Sequence, residues 1–136
     1  MARGRVLVAG EARAAVLRLD EPLSFWGGLD PADGRIVDRH HPQRGAVVAG
    51  RVLVMARTRG STASAGTLAE AVRCGAGPAA LVLGEPDVAV VMGLLAAADL
   101  YGSVVPVVVL GAEDLAGVPD GREVAVTADG DVVIAG

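Results

Sequence analysis

Hydrophobic and polar positions divide the chain into two halves of different character. The first half carries four short runs rich in Val, Leu, Ile and Ala, each bounded by Gly, Pro, Asp or His. Such runs are typical of β-strands. They predict strands over residues 5–9, 14–19, 35–38 and 51–55.

The second half alternates between strand-like apolar runs and helix-like spacing of apolar residues. Apolar runs at 79–83 and 104–110 predict strands, and the second is apolar enough for the middle of a sheet that is covered on both faces. Helical patterns extend from about residue 64 or 67 to 74 and from 85 to about 100. Runs at 122–127 and 132–134 predict a hairpin across Asp129-Gly130. The expected fold class is α/β: one domain over residues 1–136, with a β-rich half packed against a β–α–β–α–β half.

Signals for helix ends accompany both helical patterns. Thr67-Leu68-Ala69-Glu70 fits a capping box, and Gly75 and Gly102 stand where C-terminal glycines end helices. Pro86 suits the first position of the second helix. Because that helix is apolar on nearly every side, we expect it to be buried, in part by a partner.

Composition narrows the functional classes. The 136 residues are 52% hydrophobic but only 2% aromatic, and the net charge is −4. An acidic balance argues against a general nucleic-acid binder. No apolar run approaches the roughly 20 residues of a membrane span, and the apolar stretch near the N-terminus is too brief for a signal peptide. These features predict a soluble cytoplasmic protein. The single cysteine, Cys74, excludes an internal disulfide and cannot form a metal site alone.

Basic residues are all arginine and are unevenly placed. All twelve are Arg, so Schiff-base chemistry on a lysine and a P-loop are excluded within this chain. Six of them lie between residues 35 and 59 together with one acid, Asp38, whereas residues 74–121 contain none. This distribution predicts one positive edge.

A hydroxyl-rich segment joins the fourth predicted strand to the first predicted helix. Residues 57–67 hold five of the eight Ser and Thr side chains. At a strand-to-helix turn, free backbone N–H groups favour an anion. The candidate ligand-binding residues are Arg57, Arg59, Gly60, Ser61, Thr62 and Ser64. Taken alone, Ser61 and Ser64 are more often helix caps, and Arg57 and Arg59 are more often solvated charges.

A longer series of residues resembles a known family. The sequence over residues 20–110 is similar to the aconitase X swivel domain family. The matching segments are residues 24–31, 34–38, 41–42, 45, 50–54, 59–61, 78–82 and 105–108. The resemblance implies a swivelling β/β/α fold and the separate small subunit of a dehydratase (hydro-lyase). It further implies a large catalytic partner subunit whose cysteines hold iron or an iron–sulfur cluster, which agrees with a lone Cys74.

The resemblance also suggests site roles. Gly60-Ser61-Thr62 is similar to the Gly-Ser-Ser turn of the aconitase swivel domain, whose first serine is the catalytic base, and this implies Ser61 as the base. Thr62 replaces the second serine. Ala63 and Ser64 stand where aconitase has an Arg-Glu pair. Arg57 or Arg59 is then expected to contact the substrate, and Thr62 and Ser64 are either caps or substrate contacts.

Several alternatives stay open from the sequence. The substrate implied by the resemblance is an anionic metabolite, either mevalonate 5-phosphate or cis-3-hydroxy-L-proline. His41 is expected to be a turn residue rather than an acid or base, and Phe25-Trp26 to be core or a subunit contact. A non-catalytic ligand-binding or assembly module with the same fold is the rival interpretation. An independent small enzyme is a weaker one, because one Cys, two adjacent His and no Lys leave few catalytic groups.

Overall fold

A computed structural model describes residues 2–135. Its strands lie in one large sheet and one small sheet. The large sheet contains β1 (Ala2–Arg3), β2 (Arg5–Val8), β3 (Ala12–Arg18), β6 (Val52–Met55), β7 (Ala80–Leu83), β8 (Val107–Val109), β9 (Glu123–Val126) and β10 (Asp131–Ile134). The small sheet pairs β4 (Leu29–Asp30) with β5 (Arg35–Ile36).

Four helical segments accompany the strands. They are α1 (Phe25–Gly28), α2 (Ser64–Arg73), α3 (Val88–Tyr101) and α4 (Ala112–Ala116). The first is an irregular turn, because Trp26 and Gly27 have non-helical backbone angles. The two long helices, α2 and α3, are crossovers of the large sheet.

The large sheet has a parallel centre with antiparallel margins. Its eight strands follow the order β1-β10-β9-β3-β6-β7-β8-β2. Strands β3, β6, β7 and β8 are parallel neighbours, with register partners such as Leu53 and Leu81. Parallel strands need crossovers, and α2 and α3 supply two of them. The loops after β6 and β7 therefore leave the sheet at the same edge, where ligands bind in open α/β sheets.

Both faces of the central strands are buried, because successive side chains point to opposite faces. Leu53 and Met55 of β6 belong to the apolar cluster that includes Leu68 of α2 and Leu94 of α3. Val52 and its alternate Val54 belong instead to a cluster on the other face. The members of that second cluster include Leu115 of α4 and Val124 and Val126 of β9. Helices α2 and α3 thus cover one face of the central strands, and α4 together with β9 and β10 covers the other.

The structure confirms the predicted β–α–β–α–β half as β6-α2-β7-α3-β8. It also confirms the helix-ending glycines, since Gly75 and Gly102 have φ of 74° and 69°, a region that strains other residues. The closing hairpin is present as β9 and β10, and Gly130 turns it with φ of 89°. The strand predicted over 104–110 is shorter, at Val107–Val109, but Val107 and Val108 are buried as expected.

Helix α2 starts at Ser64, one of the two predicted starts, whereas the capping box at Thr67 and the start of α3 at Pro86 are wrong. Helix α2 begins at Ser64, so Thr67 is inside it, and the Thr67 hydroxyl donates to the carbonyl of Ala63. The side chain of Glu70 pairs with Arg73 instead of returning to Thr67. Helix α3 begins after Asp87, not at Pro86, because the Asp87 carboxylate accepts the N–H groups of the first turn.

Three further points of comparison concern α3, α4 and β1. One face of α3 is buried as predicted, with Val90, Leu94 and Ala97 fully covered. The other face is open in this chain, where Val88, Met92 and Leu95 are 72%, 63% and 50% exposed, and its burial by a partner stays a prediction. The sequence analysis missed α4, whose five residues are too few to show a helical period. It also missed β1, which has two residues.

Candidate functional site

The hydroxyl-rich turn leaves β6 at the C-terminal edge of the parallel strands and enters α2. Two contacts from other elements hold it. The N–H of Arg59 donates to the carbonyl of Leu23 at 3.1 Å, and the Thr58 hydroxyl donates to the carboxylate of Asp87. No heavy atom of the described residues lies within 4 Å of a Cβ added at Gly60. The turn is therefore anchored at its start and open above Gly60.

Ser61 lies at the centre of this turn and is half-exposed. Its Oγ accepts the N–H of Ala63 at 3.2 Å, and its carbonyl accepts the N–H of Ser64 at 3.0 Å. Among residues 2–135 no group accepts the N–H of Ala65 or Gly66 in the first turn of α2. The hydroxyl of Ser61 thus already receives one N–H donor, and two further backbone donors at the helix start are available to an anion.

The other candidates differ in accessibility. Arg57, Arg59 and Thr62 are exposed, and neither arginine is in an ion pair with any of residues 2–135. Ser64 is only 1% exposed. Its predicted role as a substrate contact is untested, and this burial argues against it.

A cleft of about 280 Å³ opens beside the turn. Its lining comprises Arg57, Thr58, Gly60, Glu85, Pro86, Asp87 and Val88. The parallel topology brings the β7–α3 loop, from the half of the chain that lacks basic residues, to the same edge as the arginines. The predicted positive edge is therefore wrong at the cleft, where both signs of charge meet.

Asp87 is a site residue that was not among the candidates predicted from the sequence. One carboxylate oxygen accepts the N–H groups of Ala89 and Val90 at 2.9 and 3.2 Å, which caps α3. The other oxygen accepts the hydroxyl of Thr58. Asp87 thereby connects the start of α3 to the strand end that carries Ser61. An Asp directly before a helical pattern signals the cap, but nothing in the sequence signals the contact with Thr58.

His41 is buried, and both nitrogens of its ring have hydrogen-bond partners. Its Nε2 lies 2.9 Å from the carbonyl of Glu21, and its Nδ1 accepts the N–H of Gln43 at 3.1 Å. This pattern assigns the neutral tautomer that carries its proton on Nε2. His41 is 6% exposed, which agrees with the expected turn residue and leaves neither ring nitrogen free for proton transfer.

Phe25 and Trp26 separate into two environments. Phe25 is fully buried, as core was expected to be, whereas Trp26 is 61% exposed. The subunit contact expected for this pair is therefore possible for Trp26 alone.

The described residues do not fit an iron centre. Residues 2–135 contain no group of three or more His, Cys, Asp or Glu side chains that could hold a metal ion. Cys74 is exposed at the C-terminal end of α2, whereas Ser61 precedes its N-terminal end. Any iron centre would need ligands from elsewhere, and no step below passes through one.

Two other properties bear on function. Exposed ion pairs away from the cleft lower the pKa of two carboxyl groups. A hydrogen bond from Arg73 lowers the pKa of Glu70, and one from Arg3 lowers the pKa of Asp131. No helix formed by residues 2–135 has the length and apolar character needed to cross a bilayer.

Comparison with known proteins gives consistent results. The family profile described as "Aconitase X swivel domain" matches residues 1–134. A cis-3-hydroxy-L-proline dehydratase of Pseudomonas aeruginosa is 40% identical over 120 residues, covering 87% of this chain but 21% of that protein. The chain thus spans about a fifth of this relative. The phosphomevalonate dehydratase small subunit of Methanothermobacter thermautotrophicus is 35% identical, with 92% of each chain covered.

A solved structure agrees with the sequence matches. The crystal structure of Thermococcus kodakaraensis aconitase X in its holo-form aligns with a TM-score of 0.88 and 31% identity. The alignment covers 99% of this chain and 98% of that chain. The sheet order, the two crossover helices and the turn before α2 therefore belong to a known arrangement, and this chain is a member of the aconitase X swivel domain family.

Proposed function

We propose that this chain is the small subunit of an aconitase X-type dehydratase. Its Ser61 acts as the general base, and the turn of residues 60–64 forms part of an anion-binding wall. A large subunit with an iron or iron–sulfur centre completes the site. The observation that carries this proposal is the position of Ser61, a half-buried residue whose hydroxyl accepts the N–H of Ala63 at the open start of α2, in a chain of this family.

The free energy required of the site is large. Making a serine hydroxyl basic at neutral pH requires about 8 kcal/mol of preferential stabilisation of the alkoxide. A helix N-terminus contributes about 0.3–1 kcal/mol at the surface and up to about 2 kcal/mol when partly buried. The Ala63 N–H and the start of α2 alone are therefore insufficient. Exclusion of water by a covering subunit would strengthen each of these donors, and for this reason the isolated chain is proposed to be inactive.

The arginines support an anionic substrate. Arg57 lines the cleft beside Gly60, and Arg59 lies two residues before Ser61. A charged hydrogen bond to a carboxylate or phosphate contributes about 1.5–3 kcal/mol. Both mevalonate 5-phosphate and cis-3-hydroxy-L-proline carry a carboxylate. The relatives include a cis-3-hydroxy-L-proline dehydratase and a phosphomevalonate dehydratase small subunit, so both compounds are candidate substrates.

The rival is a binding or assembly module that keeps the fold without the chemistry. The discriminating variant is Ser61→Ala, reconstituted with a large subunit of aconitase X type and assayed on both compounds. Loss of a general base lowers kcat by about 10²- to 10⁴-fold. The expected result is that loss, with normal assembly of the two chains.

The matched control is Ser103→Ala, which removes an exposed hydroxyl from the loop after α3. It should leave turnover unchanged. Near-normal turnover of the Ser61→Ala pair would instead support the rival module.

A further inference from the structure

The apolar side chains that stay exposed in residues 2–135 are concentrated on and just after α3. Six of the ten large exposed hydrophobic residues lie between residues 88 and 104. Val88, Met92 and Leu95 recur at the spacing i, i+4 and i+7, which places them on one face of the helix. The opposite face is buried and carries Val90, Leu94 and Ala97. We call the exposed face, which runs through Val88, Met92 and Leu95 and ends at Asp99, the α3 surface.

The α3 surface begins at the candidate site. Val88 lines the cleft that contains Arg57 and Gly60, and it also lines a shallow groove with Leu7 and Val91. From Val88 the surface continues along the 14 residues of α3, a length of about 21 Å. A polypeptide that covers the cleft would therefore meet Val88 and, beyond it, the rest of the α3 surface.

The charges around the α3 surface indicate which kind of partner surface can bind there. Helix α3 contains one charged residue, Asp99, and its last residue is Tyr101. Two further acids, Glu85 and Asp87, directly precede the helix. The cations at its borders are Arg5 in the groove and Arg73 near Tyr101, the latter already paired with Glu70. Two copies of the α3 surface placed face to face would oppose acids to acids. An apolar surface flanked by Lys or Arg is the better complement.

We infer that the α3 surface is the docking surface for the large subunit. This inference rests on the proposed function and adds to it the place of contact. An apolar stripe bordered by acids at the mouth of the cleft lets one partner bury the stripe and exclude water from Ser61. Exposed contiguous apolar patches of this kind mark interaction sites in soluble proteins.

The test is the affinity of this chain for a large subunit of aconitase X type, measured by isothermal titration calorimetry. The variant Met92→Glu/Leu95→Glu places two acids in the centre of the α3 surface. It should weaken assembly by about 100-fold or more, because central apolar contacts dominate interface affinity. Ile134→Glu is the matched control, since Ile134 is 43% exposed on β10, and it should bind within about 2-fold of the original chain.

A charge-reversal variant separates this partner from a second copy. Asp99→Arg should weaken assembly with the large subunit by several-fold, mainly through slower association. If the α3 surface were a homodimer interface, the same variant would relieve repulsion and strengthen self-association in sedimentation experiments. That result would overturn the inference, as would unchanged affinity of the double variant or failure of the original pair to assemble.

The Ser61→Ala chain keeps the two proposals distinguishable. If it binds normally and turns over normally, the proposed base fails while the docking surface is still judged by the affinities of the α3 variants. If the double variant binds normally while Ser61→Ala abolishes turnover, the docking surface fails and the proposed function stands.

Discussion

Ser61 and His41 show how hydrogen bonding decides which polar side chains are available for chemistry. The Ser61 hydroxyl accepts one backbone N–H, and the residue is half-buried. The His41 ring uses both nitrogens on backbone groups and is buried. The hydroxyl-rich composition of residues 57–67 drew attention to this turn, but only the family resemblance selected Ser61 within it. The engagement of His41 depends on Glu21, 20 residues away, and the sequence carried no signal for that contact.

Replacement of His41 should affect stability rather than chemistry. His41→Ala leaves the Glu21 carbonyl and the Gln43 N–H without their partner, which costs about 1–3 kcal/mol. Urea denaturation should show this decrease in the free energy of unfolding. His40→Ala is the control, because His40 is exposed, and it should change stability by less than about 0.5 kcal/mol.

Turnover of the assembled enzyme provides the second measurement for His41. The folded fraction of His41→Ala should keep its turnover, since the ring is not free to transfer a proton. A variant with unchanged stability and lost turnover would show that His41 is an acid or base after all.

At the scale of elements, glycines located the helix ends, whereas polar side chains left two starts open for α2 and placed the start of α3 at Pro86 instead of Val88. Gly75 and Gly102 adopt positive φ because glycine tolerates it without a Cβ clash. Thr67 was an alternative to Ser64 as the start of α2 because Thr67 and Glu70 match a capping box, yet the Thr67 hydroxyl donates to the carbonyl of Ala63 and Glu70 pairs with Arg73. Helix α3 starts at Val88 and not at Pro86, because the carboxylate of Asp87 caps the helix by accepting two N–H groups of its first turn.

The contact between Thr58 and Asp87 should position the turn that carries Ser61. Thr58→Val keeps the shape of the side chain but removes the hydroxyl, so the Arg57–Ser61 segment loses its link to the start of α3. The expected result is a fall in kcat of about 10-fold with a smaller change in KM, because small displacements of a reacting group mainly affect the chemical step. Steady-state kinetics of the assembled enzyme provide both constants.

Two further variants keep this prediction specific. Thr58→Ser restores a hydroxyl and should recover most of the lost kcat. Thr67→Val removes a hydroxyl whose hydrogen bond is long, at 3.4 Å, and should leave kcat unchanged. A Thr58→Val enzyme with lower stability but normal kcat would show that the contact is only structural.

For the whole molecule, topology decides which charges and surfaces meet. The sequence separates arginine-rich residues 35–59 from residues 74–121, which have no base. Parallel pairing of β6 and β7 nevertheless brings the two loops together at one edge, so Glu85 and Arg57 line the same cleft. The β–α–β–α–β order was readable from apolar periodicity. The mixed charge of the cleft and the exposure of α3 depend on contacts between distant segments, which periodicity does not encode.

The crossing of α2 and α3 fixes the position of the Ser61 turn relative to the α3 surface, and Gly93 permits it. A Cβ at Gly93 would lie 2.5 Å from the carbonyl oxygen and 2.7 Å from the Cα of Ala65, in the first turn of α2. Backbone cannot yield as a flexible side chain can, so Gly93→Ala must separate the helices. Overpacking of this kind costs about 1–3 kcal/mol, and urea denaturation of the isolated chain should show it.

Gly66→Ala is the matched control: its Cβ would meet no atom within 4 Å, and it should raise stability by about 0.4–1 kcal/mol. Because the displaced helix start carries the backbone donors beside Ser61, the Gly93→Ala enzyme should also lose turnover. Unchanged stability of Gly93→Ala would mean that the two helices do not pack as closely as the structure describes.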